Sequence, residues 1–162
     1  MQKNSVFIFI LFSFCIIKIY GQKAPLKIAI IPFHTFRIDS SDVSAAESIL
    51  RKEIRKQSSL KIIRDSLTKN VVDDSTCYDK DCALEIGRKL NADLVLDCRL
   101  SDLFGEIVFQ YFIVDVPTGK EILLDQITTS SIDDLKSIMK KAAISIVKNK
   151  PVEQGDGKNI TQ

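Results

Sequence analysis

One histidine, His34, and four cysteines are all that the 162 residues hold of the commonest soft metal ligands. Structural zinc sites join a close-spaced cysteine pair to a second such pair, or to histidines elsewhere. Cys77, Asp79, Asp81 and Cys82 cluster ligand-type side chains, but no second pair follows them. No metal is expected. The chain also lacks a Gly-x-Ser-x-Gly nucleophile elbow. Its six glycines are scattered, and Gly105 and Gly119 read as isolated turn residues outside any phosphate-cradling loop. Serine hydrolysis and nucleotide binding therefore have no motif behind them, and no cofactor is expected.

A long apolar run is missing too. A spanning helix wants about 20 apolar residues, whereas Val6 to Ile17 is broken by Ser13 and closed by Lys18. With Lys3 before it and Gly21 after Ile19-Tyr20, the stretch instead has the charged, apolar and small-residue order of an export signal. Residues 1–21 are read as that signal. Cys15 lies inside the run behind Phe12, Ser13 and Phe14, a poor setting for lipidation. Cleavage after Gly21 removes Lys3 and Lys18 from the 23 Lys+Arg and leaves a formally neutral chain against 21 Asp+Glu. Nucleic-acid binders carry a basic excess because phosphate contacts dominate their affinity. Nucleic acid is not an expected partner.

What is present alternates between the two periods of regular structure. Leu26 to Phe33 is a mostly apolar strand that Pro32 ends, and 41–57 is a helix with Val43, Ala46, Ile49, Leu50 and Ile54 on one stripe. Ser44 and Glu47 have capping-box spacing, with Ser41 as the competing cap. A short strand over 60–64 precedes a polar stretch, 65–76, read mostly as loop. The next helix runs from about Asp79 to Leu90, ends at Asn91, and carries a surface pair of Glu85 with Arg88. Strands then follow over 93–102, 106–116 and 121–129, joined at Asp102-Leu103-Phe104-Gly105 and Pro117-Thr118-Gly119-Lys120. Ser131 or Asp133 caps a last helix bearing Leu135, Ile138, Met139, Ala142, Ile146 and Val147. The order is β-α-β-α-β-β-β-α: an α/β fold with a mixed sheet of about five strands and helices packed on it. Crossover connections predict the first three strands parallel, and tight turns predict the rest antiparallel. Residues 22–150 form the single domain and 151–162 a disordered tail.

The segments KIAIIPF, CYDKDCALEIGRKLNADLVL and FQYFIVDVPTGKEIL, in that order over most of 26–148, resemble a family of bacterial envelope domains. The family is related to the amino-terminal domain of TolB, the curli secretion-pore subunit CsgG and the penicillin-binding-protein activator LpoB. The resemblance implies a non-enzymatic role: periplasmic scaffolding, outer-membrane assembly or transport, or activation of a wall enzyme. It also implies envelope proteins, or further copies of the chain, as partners. This chain departs from the pattern at Asn91, where glycine is usual, and at Asp97-Cys98, where glycine and a small residue are common.

Residue by residue, the candidates are few. Cys77 and Cys82 are expected to pair in an oxidising compartment, whereas Cys98 shares a strand face with Leu94, Leu96 and Leu100 and reads as core. His34 follows the first strand, where α/β sites often lie. A hydrolase needs a nucleophile and an orienting carboxylate beside it, and the bland reading is a solvated loop histidine. Phe104, Phe109, Tyr111 and Phe112 crowd one hairpin, with Phe109 and Tyr111 on one face and Phe112 on the other. One face is expected in the core. The four residues together are the candidate interaction surface. No catalytic residue is assigned. The expected function is an exported protein-binding domain supporting an envelope complex. The alternatives are a subunit of a curli-type outer-membrane pore and a hydrolase using His34.

Overall fold

The computed structural model describes residues 24–72 and 79–152. The expected signal over 1–21, Cys77, and the tail after Val152 lie outside them. Strand β1 spans Lys27–Ile30, and the Ile31 amide still donates to the Leu96 carbonyl at 2.9 Å. Pro32 has no N–H to give and interrupts the ladder. It does not end it. Pairing resumes as β2 (His34–Phe36), so the sheet has six strands where about five were expected, and His34 sits on a strand and not in a solvated loop.

Helix α1 (Ser40–Gln57) buries Ala46, Leu50 and Ile54, as its stripe requires. Its N-cap is Asp39, not Ser41, and no side chain caps it. Glu47 forms no capping box with Ser44 but reaches across the layer to accept the Phe33 amide at 2.6 Å. After β3 (Lys61–Ile62), the segment read as loop contains a helix, α2 (Asp65–Val71). Its apolar side is short, with Val71 packing against the core face that holds Ala29 and Ile31. Arg51 Nη2 of α1 donates to Asp65 Oδ1 at 2.9 Å, an i,i+4 pair within the helix brings Lys69 Nζ to 2.7 Å from Asp65 Oδ2, and Thr68 is buried.

Helix α3 (Lys80–Lys89) is capped by Asp79, whose carboxylate accepts the Cys82 amide at 2.8 Å. It ends as its sequence predicts, with Asn91 in the left-handed region at φ 49°. Glu85 pairs with Lys89 one turn on, at 2.8 Å, and not with Arg88. Gly87 is where α3 meets the sheet. A Cβ there would stand 2.5 Å from Val95 and 2.6 Å from Val116, so only glycine allows the approach.

Strands β4 (Leu94–Leu103), β5 (Glu106–Asp115) and β6 (Lys120–Thr129) form the meander, and a 3₁₀ turn capped by Ser131 leads into α4 (Leu135–Lys148). The sheet order is β3-β1-β4-β5-β6, with β2 pairing β4 beyond the end of β1. β1, β2, β3 and β4 run parallel, and β5 and β6 antiparallel, as the connections predict. One face packs Ile28, Ile30, Leu96, Cys98, Leu100, Phe109, Tyr111 and Ile113 beneath the apolar stripes of α1 and α4. The opposite face packs Ala29, Ile31, Val95 and Val114 against Ala83 and Ile86 of α3.

Candidate functional site

Helix α3 covers only part of its face. Further along, the outward side chains of β4, β5 and β6 alternate as the pleat demands. Asp97, Arg99 and Ser101 stand beside Phe112, Gln110 and Val108, and these beside Leu124, Gln126 and Thr128. Gln110 and Gln126 are exposed and joined by a 2.7 Å side-chain hydrogen bond, and Leu124 is 63% exposed. A cavity of about 200 Å³ opens here, lined by Asp97, Arg99, Gln110, Tyr111, Phe112 and Leu124.

Asp97 is the anomaly of this surface. It is 0% exposed, and neither carboxylate oxygen has a hydrogen-bond partner. A buried carboxylate is costly unless it is paired or hydrogen-bonded. Nε2 of His34, 16% exposed, lies 3.7 Å from Asp97 Oδ2, beyond hydrogen-bond reach. The register makes the approach: His34 opposes Arg99, two residues on from Asp97 on the same face. A His–Asp pair is thus assembled from positions far apart in the chain, and the reading of His34 as solvated is corrected.

Among the described residues that line the cavity there is no serine, threonine or cysteine. Cys98 follows Asp97 but belongs to the opposite core, where burial, and then the Asp97 charge, push its thiol well above the ordinary range. Tyr111 commits its hydroxyl to Asp125 at 2.7 Å, and burial drives its pKa up. Among the described residues no group of three or more His, Cys, Asp or Glu gathers to hold a metal.

The hairpin aromatics divide. Phe109 and Tyr111 are core, their rings 5.3 Å apart and Phe109 5.5 Å from Phe33. They leave the candidate interaction surface, because odd positions of β5 face α1 and α4. Phe112 stays on the open half, partly buried, and Phe104 is fully exposed at the tip. Phe104 and Gly105 form a two-residue loop with φ of 56° and 88°. A two-residue hairpin with both φ positive favours Asn-Gly or Gly-Gly, and a bulky residue there is strained. Nearby Phe36 and Leu103 are also exposed, Arg37 stacking over the Phe36 ring at 5.7 Å. Neither the Asp97 burial nor the Phe104 backbone had a local signal beyond departure from a motif or a turn preference. The strands expected over 93–102 and 106–116 are β4 and β5 of this sheet, one face under helices.

No family model matches the chain, and neither does any curated protein. Solved structures do. The C-terminal domain of LpoB from Salmonella enterica superposes with a TM-score of 0.53 at 13% identity, over 72% of this chain and 91% of that one. TolB from Acinetobacter baumannii gives 0.50 at 15% identity, over 76% of this chain and 28% of that one. A PelC dodecamer from Paraburkholderia phytofirmans gives 0.50 at 16% identity, over 80% and 91%. With its parallel strands, antiparallel meander and two helical layers, the chain has the fold of the LpoB C-terminal domain and of a part of TolB.

Proposed function

We propose that the chain is exported and serves the bacterial envelope as a non-catalytic protein-binding domain. It works in the periplasm or on the periplasmic face of the outer membrane. The observation that carries this is the half-covered sheet face, rimmed by exposed Leu124, Phe36, Leu103 and Phe104. Apolar side chains gathered at one surface mark interaction sites. Phe104 is the most telling. Its left-handed backbone costs about 1 kcal/mol or more, and its ring recovers nothing in the free domain because it is fully exposed. A partner that buries the ring supplies the missing gain.

Phe104→Asn tests this in two directions at once. It builds the favoured Asn-Gly hairpin and is expected to raise stability by about 1 kcal/mol. The same variant, used as bait on envelope extract, should lose most of the specific protein that the native chain retains. Equal retention by both would remove Phe104 from the interface, and no retention by the native chain would defeat the reading.

The disulfide belongs to the same proposal. Cys77 and Cys82, five positions apart, would pin the segment before α3 to its first turn in an oxidising compartment. Closing so short a loop contributes at most about 2 kcal/mol. Unfolded, unreduced protein from Gln22 onward is expected to titrate one free thiol, Cys98, of its three cysteines. Three titrating thiols would exclude the bond.

A further inference from the structure

Charge is sorted between the layers of the fold. Helices α1 and α4 together carry eight lysines and arginines against three carboxylates, Asp42, Glu47 and Glu53. The remaining described residues reverse the balance, with 11 basic and 14 acidic. Two of the three carboxylates are already engaged: Glu47 accepts the Phe33 amide and Glu53 the Gln57 side-chain amide. Helix α4 has no acidic residue, and among the described residues none of its lysines is in an ion pair. Lys136, Lys140, Lys141 and Lys148 of α4 are all exposed. So are Lys52, Arg55 and Lys56 of α1. Little in the free domain favours this arrangement. Lys136 stands in the first turn of α4, where a cation opposes the helix dipole, and it repels Lys140 one turn on. Only Lys148, in the last turn, suits the dipole.

Beside α4 runs a groove of about 440 Å³, with Lys141, Ile144 and Lys148 along one wall and Lys150, Pro151 and Val152 along the other. Ile144, 41% exposed, is the one large apolar side chain that the described α1 and α4 expose. Protein interfaces are depleted in lysine and enriched in aromatic residues, and this surface is the reverse. Lysine is a flexible point charge that meets phosphate without a fixed geometry. We infer that the α1–α4 face docks on the anionic phospholipid surface of a bilayer, with headgroup phosphates against the lysines and Ile144 between headgroups. Each basic residue near such a surface strengthens binding by about fivefold. The inference goes beyond the protein-binding reading and does not need it. Leu124 and Phe112 lie on the other side of the sheet, so a domain docked this way keeps its half-covered face open to a partner.

The chain from Gln22 to Gln162 keeps every described strand and helix and omits the apolar run over 6–17, which would bind vesicles by itself. Its co-sedimentation with vesicles of equal parts phosphatidylglycerol and phosphatidylcholine should exceed that with pure phosphatidylcholine at least tenfold. Binding should fall steeply as salt rises, because exposed charges are screened. Lys140→Gln with Lys148→Gln should weaken it at least tenfold, and Ile144→Gln, which leaves the charge, severalfold. Lys80→Gln with Arg88→Gln makes an equal charge change at exposed positions of α3, across the sheet, and should leave binding within about twofold. Every substituted side chain is exposed, so the variants keep the fold. Equal binding to both kinds of vesicle, or equal losses from the α4 and α3 pairs, would overturn the docking face. No loss with Ile144→Gln would strike that residue from the contact. Soluble poly-glutamate bound as tightly as the anionic vesicles would give the face to an acidic protein and overturn the bilayer reading. The protein-binding reading fails separately: a chain that docks on vesicles yet retains no envelope protein loses that reading only.

Discussion

Phe109→Ala is expected to destabilise the domain by about 3–5 kcal/mol, the range for deleting a buried phenylalanine ring. The ring is fully buried and packs between Phe33 and Tyr111, centroids 5.5 and 5.3 Å away. No exposed group can move in to fill the space it leaves, because α1 and α4 close the layer above it. A domain of ordinary stability, 5–15 kcal/mol in total, would be left marginal. The same substitution at Phe104 should change stability by no more than about 0.5 kcal/mol or raise it, since that ring touches solvent on all sides. Urea unfolding of the two variants measures the contrast, and equal losses would refute the division of the hairpin into a core face and a surface tip.

Asp97→Asn should move stability the other way, upward by about 1–3 kcal/mol at neutral pH. Both carboxyl oxygens of Asp97 are buried without a hydrogen bond, and the isosteric amide keeps the shape while it can bear no charge there. The sign is decisive, because the rival account predicts its opposite. If a charged His34–Asp97 pair held the sheet together, removing one partner of a buried ion pair would cost about 3–5 kcal/mol. The 3.7 Å separation is too long for a hydrogen-bonded pair and favours the gain. Loss of stability on substitution would instead make Asp97 a structural partner of His34.

Helix α3 shows how far local pattern reaches. Asp79 at its start, the buried Ala83, Ile86 and Gly87, and left-handed Asn91 at its end all satisfy short-range demands of backbone and period, and each was legible. Helix α2 shows where it stops. Its seven residues carry only Leu67 and Val71 as an apolar pair, too short a signal to set it apart from a loop, and Arg51 of α1 bonds its first carboxylate from 14 residues away. Strand β2 was hidden by Pro32, because a proline that breaks a ladder and one that only interrupts it look alike until a neighbour offers a continuation. Glu47 was assigned to a local cap and instead bonds Phe33, 14 residues away. Asp125 is a similar case. It lies within the strand expected over 121–129, and the fold gathers Tyr111, Ser145 and the Val152 amide on its carboxylate.

From the amino-acid order alone came the α/β class, the parallel-then-antiparallel plan, the turns, and the opposite facing of Phe109 and Phe112. These follow from repeats of two and of 3.6 residues, which each segment carries within itself. Only the folded chain decided which face of β5 is buried, where the cover of α3 ends, and that His34 meets Asp97 from 63 positions away. Those outcomes depend on strand register and helix placement, which are set by the packing of distant segments against one another. A side chain's exposure is a property of its neighbours, and a single sequence does not state who they are.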